Sequence, residues 1–232
     1  MIKPAPDKMP RQETSPAEQT RAALMLAALK LFGRQGFDGT STREIAAEAK
    51  ANIGSIAYHF GSKEGLRAAA ADHIVETIQA IAGQAIGTAP AQSTPEVARA
   101  QLFAALERMV GFIVASPEAG EIVQFVLREL SHPTAALDRI YAGVFEPTHR
   151  RLCQVWEQAT GEPAESEATK LTVFTLIGQV IYFRIGREAV LRRMGWREIG
   201  AAEAAKVVAV ATNNLEAMLG ARKAAARKEG KR

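Results

Sequence analysis

A chain of 232 residues with 47% hydrophobic side chains has room for one domain and a smaller second one around a large core. Its single cysteine, Cys153, excludes a disulfide framework within one chain and a cysteine-based zinc site, and fits a reducing compartment. The net charge of +4 is unevenly placed: residues 20–67 carry seven basic and four acidic side chains, residues 68–220 thirteen and seventeen, and residues 221–232 six and one. A basic head and tail on an acidic body is not the pattern of a uniformly basic, non-specific polyanion binder.

Residues 1–16 hold four of the ten prolines and no apolar period, which predicts a flexible arm. The first nineteen residues lack the apolar core of a signal peptide, so a cytoplasmic location is expected. From about Ala17 to Gln35, Leu24, Ala27, Ala28, Leu31 and Phe32 form a helical stripe that Gly36 ends. Ser41, three residues before Glu44, is a capping box opening a second helix with Ile45, Ala46 and Ala49 on one face. Lys50-Ala51 breaks that helix, and Asn52 is a good N-cap for a third, Ile53 to about His59. Gly61-Ser62 starts a long fourth helix with Leu66, Ala70, His73, Ile74, Ile78, Ile81 and Ala85 on one face, ending near Gly87.

Residues 88–95 form a polar, proline-bearing seam between two domains. Beyond it no strand-like alternation occurs. Helices are expected over 96–116 and 118–131, over 134–160 with Pro147 placed to bend or split it, and over 167–194 and 198–219. The fold class is therefore all-α, with a domain at 17–79, a helical bundle at 95–220 and a low-complexity basic tail at 221–232. The longest apolar run, Leu171 to Phe183, contains Gln179 and is too short to span a bilayer, so no membrane association is expected.

The third helix is the informative one. Only Ile56 and Phe60 look inward, while Asn52, Gly54, Ser55, Ala57, Tyr58 and His59 are small, polar or amphipathic. So little apolar surface does not account for a helix by its core, and two short helices joined by a tight turn suit the major groove of DNA. Phe32, Gly36-Phe37, Thr40, Ile45-Ala46, Gly54 and the run from Tyr58-His59-Phe60 to Lys63-Glu64 and Leu66 closely resemble the N-terminal DNA-binding domain of TetR-type transcriptional regulators over about Gln19 to Ile78. Two positions depart from that pattern: Lys50 stands at the usual turn glycine, and Ala57 where tyrosine is common. A lysine held at positive φ costs about 1 kcal/mol. The resemblance implies a DNA contact set of Ser41, Thr42, Arg43, Asn52, Ile53, Gly54, Ser55, Tyr58, His59 and Lys63. Within it Tyr58 and His59 would grip the backbone. Lys63 opposes the dipole at the start of its helix, for which a phosphate would supply the reason.

The second half resembles the C-terminal domain of the CecR-like subgroup. The similarity rests on Arg139-Ile140-Tyr141, Gly178-Gln179, Phe183-Arg184, Arg187, Leu191-Arg192 and Gly195-Trp196. Leu171–Ile185 is apolar around most of its circumference, the pattern of a helix covered on both sides. With Gly178 and Gly186 on one face it suits close helix approach, or an ordinary central core helix. The resemblance favours a homodimer through the last two long helices. Large side chains on several helices (Phe103, Met109, Phe125, Tyr141, Trp156, Phe174 and Tyr182), with His149, Gln179 and Arg184 as polar anchors, suit a small-molecule cavity or a close-packed core.

Two Glu-x-x-His pairs, Glu129/His132 and Glu146/His149, have the spacing of a di-iron carboxylate site. Both lie beside prolines (Pro133 and Pro147), which mark helix ends or bends, so capping residues and surface histidines are the expectation. No cofactor or catalytic constellation stands out. The expectation is a non-enzymatic, sequence-specific DNA-binding regulator of double-stranded pseudo-palindromic operators, a homodimeric repressor released by a small-molecule effector. The rival is a helical-bundle metal enzyme with a structural N-terminal unit.

Overall fold

The structure is a computed structural model and describes residues 15–86 and 94–229. The expected arm, the seam and the last residues of the tail fall mainly outside that range. Among the described residues every element is helical: α1 (Pro16–Gln35), α2 (Thr42–Glu48), α3 (Gly54–Phe60), α4 (Lys63–Ile86), α5 (Pro95–Val110), α6 (Pro117–Ser131), α7 (Ala135–Ile140), α8 (Glu146–Thr160), α9 (Glu167–Ile185), α10 (Arg187–Met194) and α11 (Ala201–Glu229). Wider π-turns, Gly111–Ala115 and Tyr141–Phe145, extend α5 and join α7 to α8. No single described helix is long and apolar enough to cross a membrane.

Local chemistry accounts for the helix ends. Ser15 and Glu18 box the start of α1, with Pro16 in its first turn, and Gly36 leaves the helix at φ 82°. The buried Thr40 hydroxyl donates to the Gly36 carbonyl at 2.7 Å and fixes the turn into α2. The Ser41–Glu44 box is present as expected. There the Ser41 N–H and hydroxyl hold the Glu44 carboxyl below its ordinary pKa. A depressed carboxylate stabilises at neutral pH, and that contribution is lost as acid takes the pH through the lowered value. Lys50 adopts φ 51°, the left-handed conformation its place in the turn requires. Replacing Lys50 with glycine relieves this conformation, and the expected gain of about 1 kcal/mol would appear as a raised thermal midpoint.

Prolines shape the body. Pro117 has no N–H to offer the Ile113 carbonyl four residues earlier, and the helix turns by 87° between α5 with its π-turn and α6. Arg184 of α9 fills the vacated acceptors, donating through Nε to Ile113 O at 2.5 Å and through Nη2 to Ser116 O. Burial lowers the Arg184 pKa, with the neighbouring Arg187 charge as the smaller cause. Pro147 repeats the arrangement. It frees the Gly143 carbonyl, which accepts from Gln79 Nε2 of α4 at 2.9 Å. The π-turn before it absorbs the missing bond, so of the bend or split expected at Pro147 no split occurs, and residues 135–160 continue helically.

Two apolar clusters result. One joins Leu24, Ala28 and Phe32 of α1, Ile45, Ile56, Leu66 and Ile74 to Ile122 and Phe125 of α6 and Ile140 of α7. The other holds Leu102 and Leu106 of α5, Trp156 of α8, Val173 and Val180 of α9, and Val207, Leu215 and Leu219 of α11. The four N-terminal helices thus share a core with α6 and α7. Close backbone approach permits this: a Cβ on Gly33 of α1 would lie 3.0 Å from the Phe125 nitrogen, and one on Gly143 would lie 2.6 Å from Val75 Cγ1.

Two expected helices differ. The one expected over 167–194 is broken at Gly186 into α9 and α10, so Gly186 ends a helix instead of packing mid-helix. The last runs to Glu229 and carries part of the expected basic tail.

Candidate nucleic-acid interface and effector region

The head presents α3 outward. Ile56 is buried and Phe60 packs partly against the head core, as the pattern required, while Tyr58 is 81% exposed and Ile53 49%. Asn52 Oδ1 accepts from the Gly54 N–H at 2.8 Å, capping the helix even though regular geometry begins at Gly54. Ser41, Arg43, Asn52, Ile53 and Gly54 are exposed, and Thr42, Ser55, His59 and Lys63 half-buried. The Tyr58 and His59 rings meet edge to face with centroids 4.8 Å apart, which holds the imidazole against the helix. Exposed apolar and aromatic groups beside polar ones on one short helix form a surface suited to groove and phosphate contact.

Lys63 differs from the sequence reading. Its ammonium donates to the Phe37 carbonyl at 2.6 Å and stands 4.2 Å from the centre of the Phe37 ring. The unfavourable dipole position is therefore offset inside the protein, and a phosphate is not needed to explain it. An ammonium has three donors, so two remain for a phosphate. Lys63→Ala is expected to weaken binding to all duplexes alike and to lower the salt slope by about one unit. Titrations at several salt concentrations check this; altered sequence preference at an unchanged slope would contradict it.

The ten candidate effector residues do not converge on one cavity. Phe125 is buried in the cluster shared with the head, and Trp156, fully buried in the other, donates Nε1–H to Glu162 at 2.9 Å. Phe103 and Met109 pack partly against that second cluster. Tyr141, Phe174 and Tyr182 are 54%, 59% and 56% exposed. Gln179 accepts from Asn214 of α11 at 3.1 Å, and Arg184 is occupied at the α5–α6 corner. His149 stacks on Phe174 with centroids 3.9 Å apart, and its Nε2 lies 3.1 Å from the Lys170 carbonyl. These side chains are divided between the two apolar clusters and the exposed surface.

The Glu-x-x-His residues are likewise engaged apart. Glu129 pairs with Arg67, His132 ends α6 in solvent, and Glu146 pairs with Arg150 at 2.6 Å. Among the described residues no three His, Cys, Asp or Glu side chains form a metal-ligand group.

Comparison with known proteins decides the family. Residues 24–70 match the model of bacterial regulatory proteins of the tetR family, and residues 98–222 match the C-terminal domain of the HTH-type transcriptional dual regulator CecR. The CecR dual regulator of Shigella flexneri is 36% identical over 189 residues, covering 79% of this chain and 83% of its own. The chain belongs to the TetR family. It is a DNA-binding transcriptional regulator with a CecR-type C-terminal domain. The HTH-type transcriptional repressor Rv3405c of Mycobacterium tuberculosis is 40% identical over 72 residues, 31% of this chain and 37% of its own. Two solved structures share the fold. AibR in complex with isovaleryl coenzyme A and operator DNA has a TM-score of 0.61 at 18% identity, covering 87% of this chain and 96% of its own. HlyIIR, a hemolysin II transcriptional regulator, has 0.56 at 19%, covering 84% and 97%.

Within this TetR-type frame, sequence reasoning missed the residues that join head to body. Arg67 of α4 was not singled out by any pattern, yet its guanidinium lies 4.6 Å from the Phe37 ring centre and pairs with Glu129 of α6. Arg128 also crosses to the head, donating to the Arg34 carbonyl at 2.9 Å. The available signal was a glutamate at an inward helical position of α6, in register with Ile122 and Phe125.

Proposed function

We propose that the protein is a homodimeric repressor that binds pseudo-palindromic operators and is released by a small-molecule effector. The observation that carries the DNA half is the outward face of α3, with Tyr58 and Ile53 exposed on a basic head that needs neither for its core. The dimer reading is supported by Leu171, Phe174, Tyr182 and Ile185 of α9 and Val210 of α11, which are more than half exposed. So many large apolar groups on two neighbouring helices are the mark of a protein–protein surface. Two identical heads related by a two-fold axis read two identical half-sites. The relatives named repressor and dual regulator support repression, with activation at some promoters as a second outcome. AibR, crystallised with isovaleryl coenzyme A and operator DNA, supports a small-molecule effector for a regulator of this fold.

Footprinting on DNA flanking the protein's own gene tests this reading. Two symmetric protected tracts about one helical turn apart are expected; a single asymmetric tract would contradict the paired reading. A compound that releases the operator should lower its affinity by about 5- to 150-fold, and operator must weaken that compound's binding by the same factor. Calorimetric titration with and without operator checks the reciprocity, and equal affinities would exclude the mechanism for that compound.

A further inference from the structure

Among the described residues Glu129 is the only charged residue buried to 2% exposure. A carboxylate out of water is tolerated only with charged or hydrogen-bonding partners, and this one has three donors. Arg67 Nε and Nη2 donate to its Oε1 at 2.8 and 2.5 Å, and the Thr134 hydroxyl donates to its Oε2 at 2.6 Å. Each donor comes from outside the carboxylate's own helix. Arg67 is in the first turns of α4, and Thr134 caps α7, accepting from the Ala136 N–H at 3.2 Å. The Arg67 guanidinium also lies over Phe37, the residue in the α1–α2 turn whose carbonyl and ring hold Lys63.

One carboxylate therefore gathers α6, α7, the start of α4 and the turn that carries the helix-turn-helix. The apolar face of α6 packs against α1, and apolar packing alone would let α6 shift relative to α4 by small steps. A buried, hydrogen-bonded charge does not slide, because any intermediate position strands it without donors. The contact holds this setting of the head against the body.

We propose that Glu129 is a positioning residue for operator recognition: through Arg67 and Phe37 it fixes the angle at which α4 leaves the body, and thereby the separation of the paired recognition helices. The inference rests on the dimeric reading above. Its consequence is a sharp dependence of affinity on half-site spacing, since one added base pair moves a half-site by about 3.4 Å along the duplex and rotates it by about a tenth of a turn.

The test uses the full chain and a duplex enriched by the wild-type protein from a randomised pool, with versions carrying one base pair more or fewer between the half-sites. Wild-type affinity should fall about tenfold or more for either change. Glu129→Gln keeps the shape and removes the charge, and should compress that discrimination to within about threefold. A purely structural role would reduce the active fraction and lower all three affinities by one factor, leaving the ratios at wild-type values; that result overturns the proposal. Arg67→Met should reproduce the compressed ratio, and the double variant should be no worse than either single one. Losses that multiply would show that Glu129 does not act through Arg67. Should Glu129→Gln fail to fold, Thr134→Val removes one donor and retains the ion pair. It should give an intermediate ratio, and an unchanged ratio would overturn the proposal. A wild-type protein indifferent to spacing would instead overturn the dimeric reading, before any variant is compared.

Discussion

With Gly178 replaced by tryptophan, the protein should sediment as a monomer, and its operator affinity should fall by about 10²- to 10⁴-fold. The position is exposed, and a Cβ there would meet no atom within 4 Å of its own chain, so the substitution leaves the subunit's own packing intact. It places a large ring amid the exposed side chains of Leu171, Phe174 and Tyr182 on α9, where a second copy would have to approach. Two linked heads bind the second half-site intramolecularly, and separating the subunits removes that effective concentration without touching α3. Sedimentation and operator titration on the same sample check both effects. A dimer of full affinity would move the interface away from α9.

Trp156→Ala should cost about 3–5 kcal/mol of stability, a fall in thermal midpoint of about 10 °C for a chain of this size. Trp156 is fully buried between α5, α9 and α11. Its indole donates to Glu162, which in turn pairs with Arg222 of α11 at 3.2 Å. Truncation opens a cavity and leaves the carboxylate without one donor. Thermal and denaturant unfolding measure the loss. A change within about 1 kcal/mol would fit a loosely filled pocket wall and return Trp156 to the effector-lining set.

The contrast between these positions shows what the sequence made legible. Capping and turn chemistry is local: Ser41 and Glu44 act across three residues, Asn52 across two, and the strain at Lys50 follows from one residue at one φ. Helical period also placed Ile45, Ile56, Leu66 and Ile74 in the head core correctly. Pairing over long separations has no such period. Nothing near Arg67 announces Glu129, which is 62 residues away, and nothing near Pro117 announces that Arg184 will fill its vacated carbonyl. The environments of the candidate effector residues were not legible for a related reason. An aromatic residue is equally apolar whether it faces a cavity, a core or a partner, so Phe125, Trp156 and Phe174 looked alike in sequence and occupy three different environments. Gly186 was legible as a small residue, but whether it packs or breaks a helix is not written in its type, and it stands between the end of α9 and the start of α10.

The central claim is that α3 reads DNA as one of a symmetric pair. Enrichment of bound duplexes from a randomised pool by the full chain, with sequencing of the product, tests it most directly. The expected product is a pseudo-palindrome with two half-sites at fixed spacing, in which substitutions at Arg43, Asn52 or Ser55 change the preferred bases, each by about 1–3 kcal/mol where it reads one. Enrichment of a single unpaired site, or of no sequence at all, would contradict it.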